Sequence, residues 1–340
     1  MRTHLIFSVL IVGLCTLFVE CHMTGASKDK LLKTISIHGV VTVAAFSPNG
    51  EILATVDRTN LSSGKYRINV WDTSDGRLRY VTEEYSVYGL AFSPDGSMFA
   101  ASCRDGVRLF RLTDGQLLRT LAGNQLFSVA FSPDGQTLAS GGAEGEVRTW
   151  RVADGTLLHT FLLNKHVTTV SFSVDGKLLA AGSSETIGFV RPEDTSMGEN
   201  PIALWQLSDN KLLTTLPGHK HGVLRLAFSP DGQTLVSGGS DGLLKVWNLG
   251  TKSQLKIISL GHDSTNSNIR PVNVNDLAFS ADGRLLAVAA NNGIYVLRSS
   301  DFNTTFTLKA HTDEVLNLHF RDDTTLLSSS EDNSIKLWQL

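Results

Sequence analysis

From residue 31 to the end of the chain, apolar positions come in short runs of roughly five residues, each closed by glycine, aspartate, serine or proline. No stretch in that span shows a 3.6-residue period with helix caps, so strands are expected throughout and helices are not. One run recurs. Ala45-Phe46-Ser47-Pro48-Asn49-Gly50 returns at Ala91–Gly96, Ala130–Gly135, Ser171–Gly176, Ala227–Gly232 and Ala278–Gly283, with a worn copy at His319-Phe320-Arg321-Asp322-Asp323. The anchoring residues are Phe46, Phe92, Phe131, Phe172, Phe228, Phe279 and Phe320. They lie 39 residues apart from Phe92 to Phe131 and 56 apart from Phe172 to Phe228, so short copies show the bare unit and long ones carry insertions.

Each copy has one physical reading. A first strand ends at Phe-Ser-Pro-Asp-Gly, where proline fixes φ and Asp-Gly suits a tight turn. A second strand such as Thr234-Leu235-Val236-Ser237 leads to a turn such as Ser240-Asp241-Gly242. A third strand carries a large residue near its end: Trp71, Phe110, Trp150, Trp205, Trp247, Leu297 or Trp338. A fourth strand of the Leu-Leu-x-Thr-Leu kind follows. Such a four-stranded sheet cannot bury both faces alone, and radial packing of seven sheets solves this. The chain opens on a lone fourth-type strand, Leu31–Ile37, and stops at Leu340 after a third-type strand. The pattern therefore predicts an all-β, seven-bladed β-propeller of four-stranded antiparallel blades, closed by the N-terminal strand joining the last blade.

The repeat resembles the WD-repeat β-propeller family from about residue 31 to 340. A literal Trp-Asp pair stands only at Trp71-Asp72, and Gly-His pairs at Gly218-His219 and Gly261-His262. The resemblance implies a buried structural relay in two blades: His219, Ser237, Asp241 and Trp247, and His311, Ser328, Asp332 and Trp338. Elsewhere members are missing; Glu144 takes the aspartate place in the third blade and Leu297 the tryptophan place in the sixth.

Composition narrows the function. A formal charge of −3 over 340 residues gives no reason to expect nucleic acid. Three cysteines, with only Cys103 inside the repeats, exclude a disulfide framework. Arg2 and His4 precede an apolar run, Leu5–Val19, and the polar stretch after it ends in Thr24-Gly25-Ala26, the layout of a secretory signal cut after Ala26. Cys21 admits lipidation, although Phe18-Val19-Glu20 lacks the small residue usual before an acylated cysteine. Cleavage, lipidation and retention as an anchor stay open. Residues 1–26 are thus read as leader, 27–30 as linker and 31–340 as propeller, with export to the periplasm, cell exterior or envelope expected. Asn60-Leu61-Ser62 and Asn303-Thr304-Thr305 match glycosylation sequons.

Catalytic patterns are weak. Gly238-Gly239-Ser240-Asp241-Gly242 fits Gly-x-Ser-x-Gly, but that motif needs a strand-to-helix elbow and here it joins two strands. No paired histidine or cysteine spacing suggests zinc, and no cofactor is expected. Long connections do cluster on one face of the ring, at Asp57–Lys65, Ser183–Pro201 (with Phe189, Arg191, Glu193 and Asp194) and His262–Asn273 (with Arg270). The resemblance places binding positions on that face, four and six residues before each anchoring phenylalanine. Those singled out are Tyr88, Gln125, Phe127, His166, Leu224, Asn273, Asn275, Glu314 and Leu316, with Tyr85 nearby. The expected function is a non-enzymatic, monomeric module for a protein or peptide partner, touching membrane only through the N-terminus if it is uncleaved or lipidated at Cys21. The alternative is a small-ligand-binding or catalytic propeller using the central channel, where Arg225, Asp276 and Asn317 form the one polar cluster on offer.

Overall fold

The computed structural model describes residues 30–39, 41–57, 65–185, 198–261, 272–291 and 293–340. These residues form seven four-stranded antiparallel sheets and no helix. Six sheets take their strands in chain order, as in blade one: Val41–Phe46, Ile52–Asp57, Lys65–Asp72, Leu78–Tyr85. The seventh takes its outer strand from the start of the chain. The innermost strands of blades one to seven are Val41–Phe46, Val87–Phe92, Leu126–Phe131, His166–Phe172, Val223–Phe228, Val274–Phe279 and Val315–Phe320. Each contacts the next, and the last contacts the first, so the blades form a closed β-propeller.

The repeated turn explains why blades two to six start alike. The Ser93 hydroxyl donates to Asp95 Oδ1 at 2.6 Å and accepts the Met98 amide at 3.0 Å. Asp95 Oδ1 also accepts the Ser97 amide at 3.0 Å, and these donors hold its carboxyl below the usual range. Gly96 supplies the left-handed conformation, at φ 67°. The same serine–aspartate bond recurs at Ser132–Asp134, Ser173–Asp175, Ser229–Asp231 and Ser280–Asp282. These bonds lie within six successive residues, from Ser93 to Met98, and need no contact from a neighbouring blade.

Packing between blades builds the core. Phe99 and Phe110 of blade two stack at 4.9 Å in one cluster with Ile52, Val56 and Ile68 of blade one. At the outer rim a second device links neighbours. Lys33 Nζ donates to the Ser74 carbonyl, Tyr80 Oη to Leu112, Arg119 to Ala153 and Asp154, and Lys256 to Asp301. Every donor occupies the x position of a fourth strand, and every acceptor is a backbone carbonyl of the following blade. The first of these bonds crosses from blade seven to blade one.

The ring closes where the chain ends meet. Leu31–Ser36 pairs antiparallel with the last strand, from Leu31 opposite Trp338 to Ser36 opposite Ser334, and the Ile37 amide donates to the Asn333 carbonyl at 2.9 Å. Ile35 and Ile37 enter a buried cluster with Val41, Phe46, Leu53, Trp71, Leu327 and Ile335, which joins blade seven to blade one. Leu32, by contrast, is 55% exposed, whereas Ile35 is 6% exposed. Ile35→Ala is expected to lower unfolding stability by about 2–4 kcal/mol in urea titrations, and Leu32→Ala to stay within about 0.5 kcal/mol.

Candidate functional site

Polar groups that look catalytic in sequence are first accounted for by structure. At the end of blade four's outer strand, His219 Nδ1 donates to Asp241 Oδ1 of blade five at 2.9 Å, because a carboxylate only accepts. Nε2 then accepts from the Ser237 hydroxyl at 2.8 Å, and that hydroxyl accepts the Trp247 N–H at 3.1 Å. Blade seven repeats the chain: His311 to Asp332 at 2.8 Å, Ser328 to His311 at 2.7 Å, Trp338 to Ser328 at 2.8 Å. Burial, opposed by the Asp332 bond, lowers the His311 pKa, so the ring is neutral. Burial pushes Asp332 up, but bonds from His311 and Ser334 outweigh it and hold the carboxyl below the usual range. Blades one and three keep only the last bond, Trp71 to Thr55 and Trp150 to Ser140. Ser240 of the hydrolase-like motif donates to the His221 carbonyl and lies on a turn between two strands. His219 is already engaged by Ser237.

The face carrying the first-strand entries offers a different surface. A single residue, Ser86, joins blade one to the inner strand of blade two, and Gly123-Asn124-Gln125 joins blade two to blade three. Both turns are so tight that Ser86 and Gln125 adopt left-handed φ, 51° and 44°, uncommon without glycine. Two residues on stand Tyr88 and Phe127, both half-buried, with rings edge to face at 5.6 Å. Loops this short leave the pair uncovered by their own blades. Tyr85 closes the strand before Ser86.

The other predicted positions divide into groups. Gln125 is held by its backbone, accepting from Ala143 and donating to Arg104. His166 donates Nδ1–H to the Ala143 carbonyl at 2.5 Å, tying blade four to blade three. Leu224 and Asn273 are half-buried on blades five and six, and Leu316 packs on the cluster that closes the ring. Asn275 donates to Glu314 Oε2 at 3.2 Å and to the Val315 carbonyl at 3.1 Å, across the blade six to seven boundary. The leader with Cys21, the Asn60 sequon, Phe189, Arg191, Glu193, Asp194 and Arg270 lie outside the described residues, as does most of each long connection.

The channel cluster is assembled. Asp276 Oδ2 accepts from Asn317 Nδ2 at 2.6 Å and the Leu318 amide at 2.8 Å, while Oδ1 lies 3.7 Å from Arg225 Nε. Ser128 does the same for blades three and four, accepting the Val170 amide at 3.1 Å. This position is thus a blade-to-blade link that blade six makes with a carboxylate. Burial pushes the Asp276 pKa up to about 6, against the pull of Arg225. Because the folded value exceeds the unfolded one, the native state binds the extra proton between about pH 4 and 6. The contribution of Asp276 to stability therefore grows as pH falls through that window. Relative to Asp276→Asn, the natural chain should gain up to about 3 kcal/mol between pH 7 and pH 4 in parallel urea titrations.

Comparison with known proteins follows the same blades. The WD40 family model (WD domain, G-beta repeat) matches residues 29–72, 76–107, 115–151, 155–188, 210–248 and 302–339. The gap before 302 holds the first three strands of blade six, where Leu297 replaces tryptophan. Cilia- and flagella-associated protein 52 of Homo sapiens is 26% identical over 300 residues, 76% of this chain and 47% of that protein. Protein FIZZY-RELATED 1 of Arabidopsis thaliana is 33% identical over 128 residues, 36% of this chain and 24% of that protein. Protein SPA1-RELATED 4 of the same plant is 32% identical over 146 residues, 42% and 17% respectively. The chain spans less than half the length of each. With six matched segments in register on a closed ring of blades, the chain belongs to the WD40 repeat family, whose propellers generally serve as protein-interaction scaffolds.

Proposed function

We propose that this chain is a non-enzymatic protein–protein interaction module, exported to the cell envelope or beyond, that offers the face of the first-strand entries to a protein or peptide. The observation that carries this reading is the Tyr88–Phe127 pair, half-buried, edge to face and left uncovered by loops of one and three residues. Large aromatic side chains standing at a surface bring much apolar area at little entropic cost, which is why they anchor interfaces. The relays support it from the other side, since they bind the histidine, serine and aspartate of blades five and seven into structure.

The double change Tyr88→Ala with Phe127→Ala is expected to weaken partner capture by about 30-fold or more, in line with the roughly 2 kcal/mol or more of an aromatic hot spot. Partners are first identified by proximity labelling in the native host, and capture is then measured on purified protein. Unchanged capture by a variant with unchanged circular dichroism removes this face as the binding site. The export half of the reading is checked separately, by N-terminal analysis of the mature chain. A start after Ala26 or at an acylated Cys21 supports it, and an unprocessed Met1 in a cytosolic fraction overturns it.

A further inference from the structure

The aromatic pair lies at the boundary of blades two and three, and in a seven-membered ring the position opposite that boundary is blade six. There the channel wall changes character. Asp276 stands on the innermost strand of blade six, with one carboxylate oxygen satisfied by Asn317 and Leu318 and the other 3.7 Å from Arg225, beyond direct hydrogen-bonding distance. Arg225 is 44% exposed in its side chain, and on an innermost strand solvent is reached through the channel. Its Nη1 is turned back onto the Leu224 carbonyl. One position nearer the mouth, Asn275 holds Glu314 beside the same wall, and Asp313 is exposed next to it. Asp276 thus lies beside Arg225, and Glu314 and Asp313 add two carboxylates at the entry to blade seven. Asp276 keeps 14% of its side chain exposed and has only a long contact to Arg225 at Oδ1, so a second cation can approach that oxygen from the channel.

We infer that the channel mouth is a two-ended cleft for an extended partner segment, which sets an aromatic or large aliphatic side chain against Tyr88 and Phe127 and a lysine or arginine against Asp276 and Glu314 on the opposite rim. This rests on the aromatic face being the partner face, and adds the chemistry of the partner. A basic side chain gives Asp276 Oδ1 the direct donor that Arg225 does not reach, and it meets a rim whose charge attracts it. An acidic side chain meets like charge and is rejected. Tyr88 and Phe127 accept the apolar end without a charge of their own. Neither end alone selects a partner; the pairing of the two does.

A displayed library of random linear peptides, selected on the full chain, tests the cleft. Recovered peptides are titrated by fluorescence polarisation against the natural chain, the Tyr88→Ala/Phe127→Ala variant, Glu314→Gln and Asp276→Asn. Recovered sequences are expected to pair an aromatic or large aliphatic residue with lysine or arginine. The aromatic variant should lose about tenfold or more in affinity, and each carboxamide variant several-fold, with the loss shrinking at high salt. Glu314→Gln keeps the test valid should Asp276→Asn disturb the blade contact. Peptides that depend on the aromatic pair, yet carry no basic preference and bind both carboxamide variants unchanged, overturn the two-ended cleft and leave the face assignment standing. Peptides that bind every variant equally, or failure to recover any, overturn both.

Discussion

Every blade of this propeller depends on a single seam, the antiparallel pairing of Leu31–Ser36 with the final strand. Blades one to six each form from contiguous chain, but a row of sheets packed face to face remains open until its last member meets its first. The seam makes that meeting within one sheet, by hydrogen-bonding Leu31–Ser36 to the strand Ser334–Gln339. It also brings Ile35 and Ile37 into the apolar cluster shared with blade one. In the absence of this strand, blade seven would present an unpaired edge at Ser334–Gln339, and strand edges invite pairing with other chains.

Around that seam the polar groups work in three layers. The serine–aspartate turns are local and need only their own blade. The His–Ser–Trp relays tie blades five and seven to the chain that enters them, His219 from the end of blade four's outer strand and His311 from the connection after blade six, and satisfy an indole N–H that burial would otherwise leave unpaired. The rim bonds from Lys33, Tyr80, Arg119 and Lys256, and the inner ones through Ser128, Thr168, Asn275 and Asp276, cross from blade to blade. The same residue types that would mark catalysis in a cleft are spent here on holding sheets in register. Function is therefore sought where polar and aromatic groups are not consumed in this way, at the channel mouth.

The two faces of the ring differ for a physical reason. One carries the serine–proline–aspartate turns, whose backbone leaves little room for variation. The other carries connections whose only obligation is to return the chain to the channel, and these range from the single residue Ser86 to the stretch between Ser259 and Val274. Shortness is as informative as length on this face. Tight entries into blades two and three leave Tyr88 and Phe127 accessible, while Thr168 and Asn275, at the matching place in blades four and six, turn to bond the carbonyl of the next blade.

Blade count, strand order and closure are legible in the chain alone, because they follow from a repeat whose turn chemistry is local and whose first and last strands are complementary. The resemblance to the WD-repeat family also marked both relays, on the histidine, serine, aspartate and tryptophan that match its pattern. The tertiary structure decided what no offset encodes. A lysine, tyrosine or arginine in the x place of Leu-Leu-x-Thr-Leu reaches a carbonyl some forty residues on, as from Lys33 to Ser74, and a carbonyl acceptor has no residue type to betray it. The alternation of Lys33, Tyr80, Arg119 and Lys256 at that place was the available signal. Arg225, Asp276 and Asn317 were visible as polar residues on inner strands, but only packing showed that Asp276 spans two blades with one oxygen and leaves the other short of Arg225. Contacts within a repeat are written in its spacing; contacts between repeats are set by the angle at which blades pack, and that angle belongs to the closed ring.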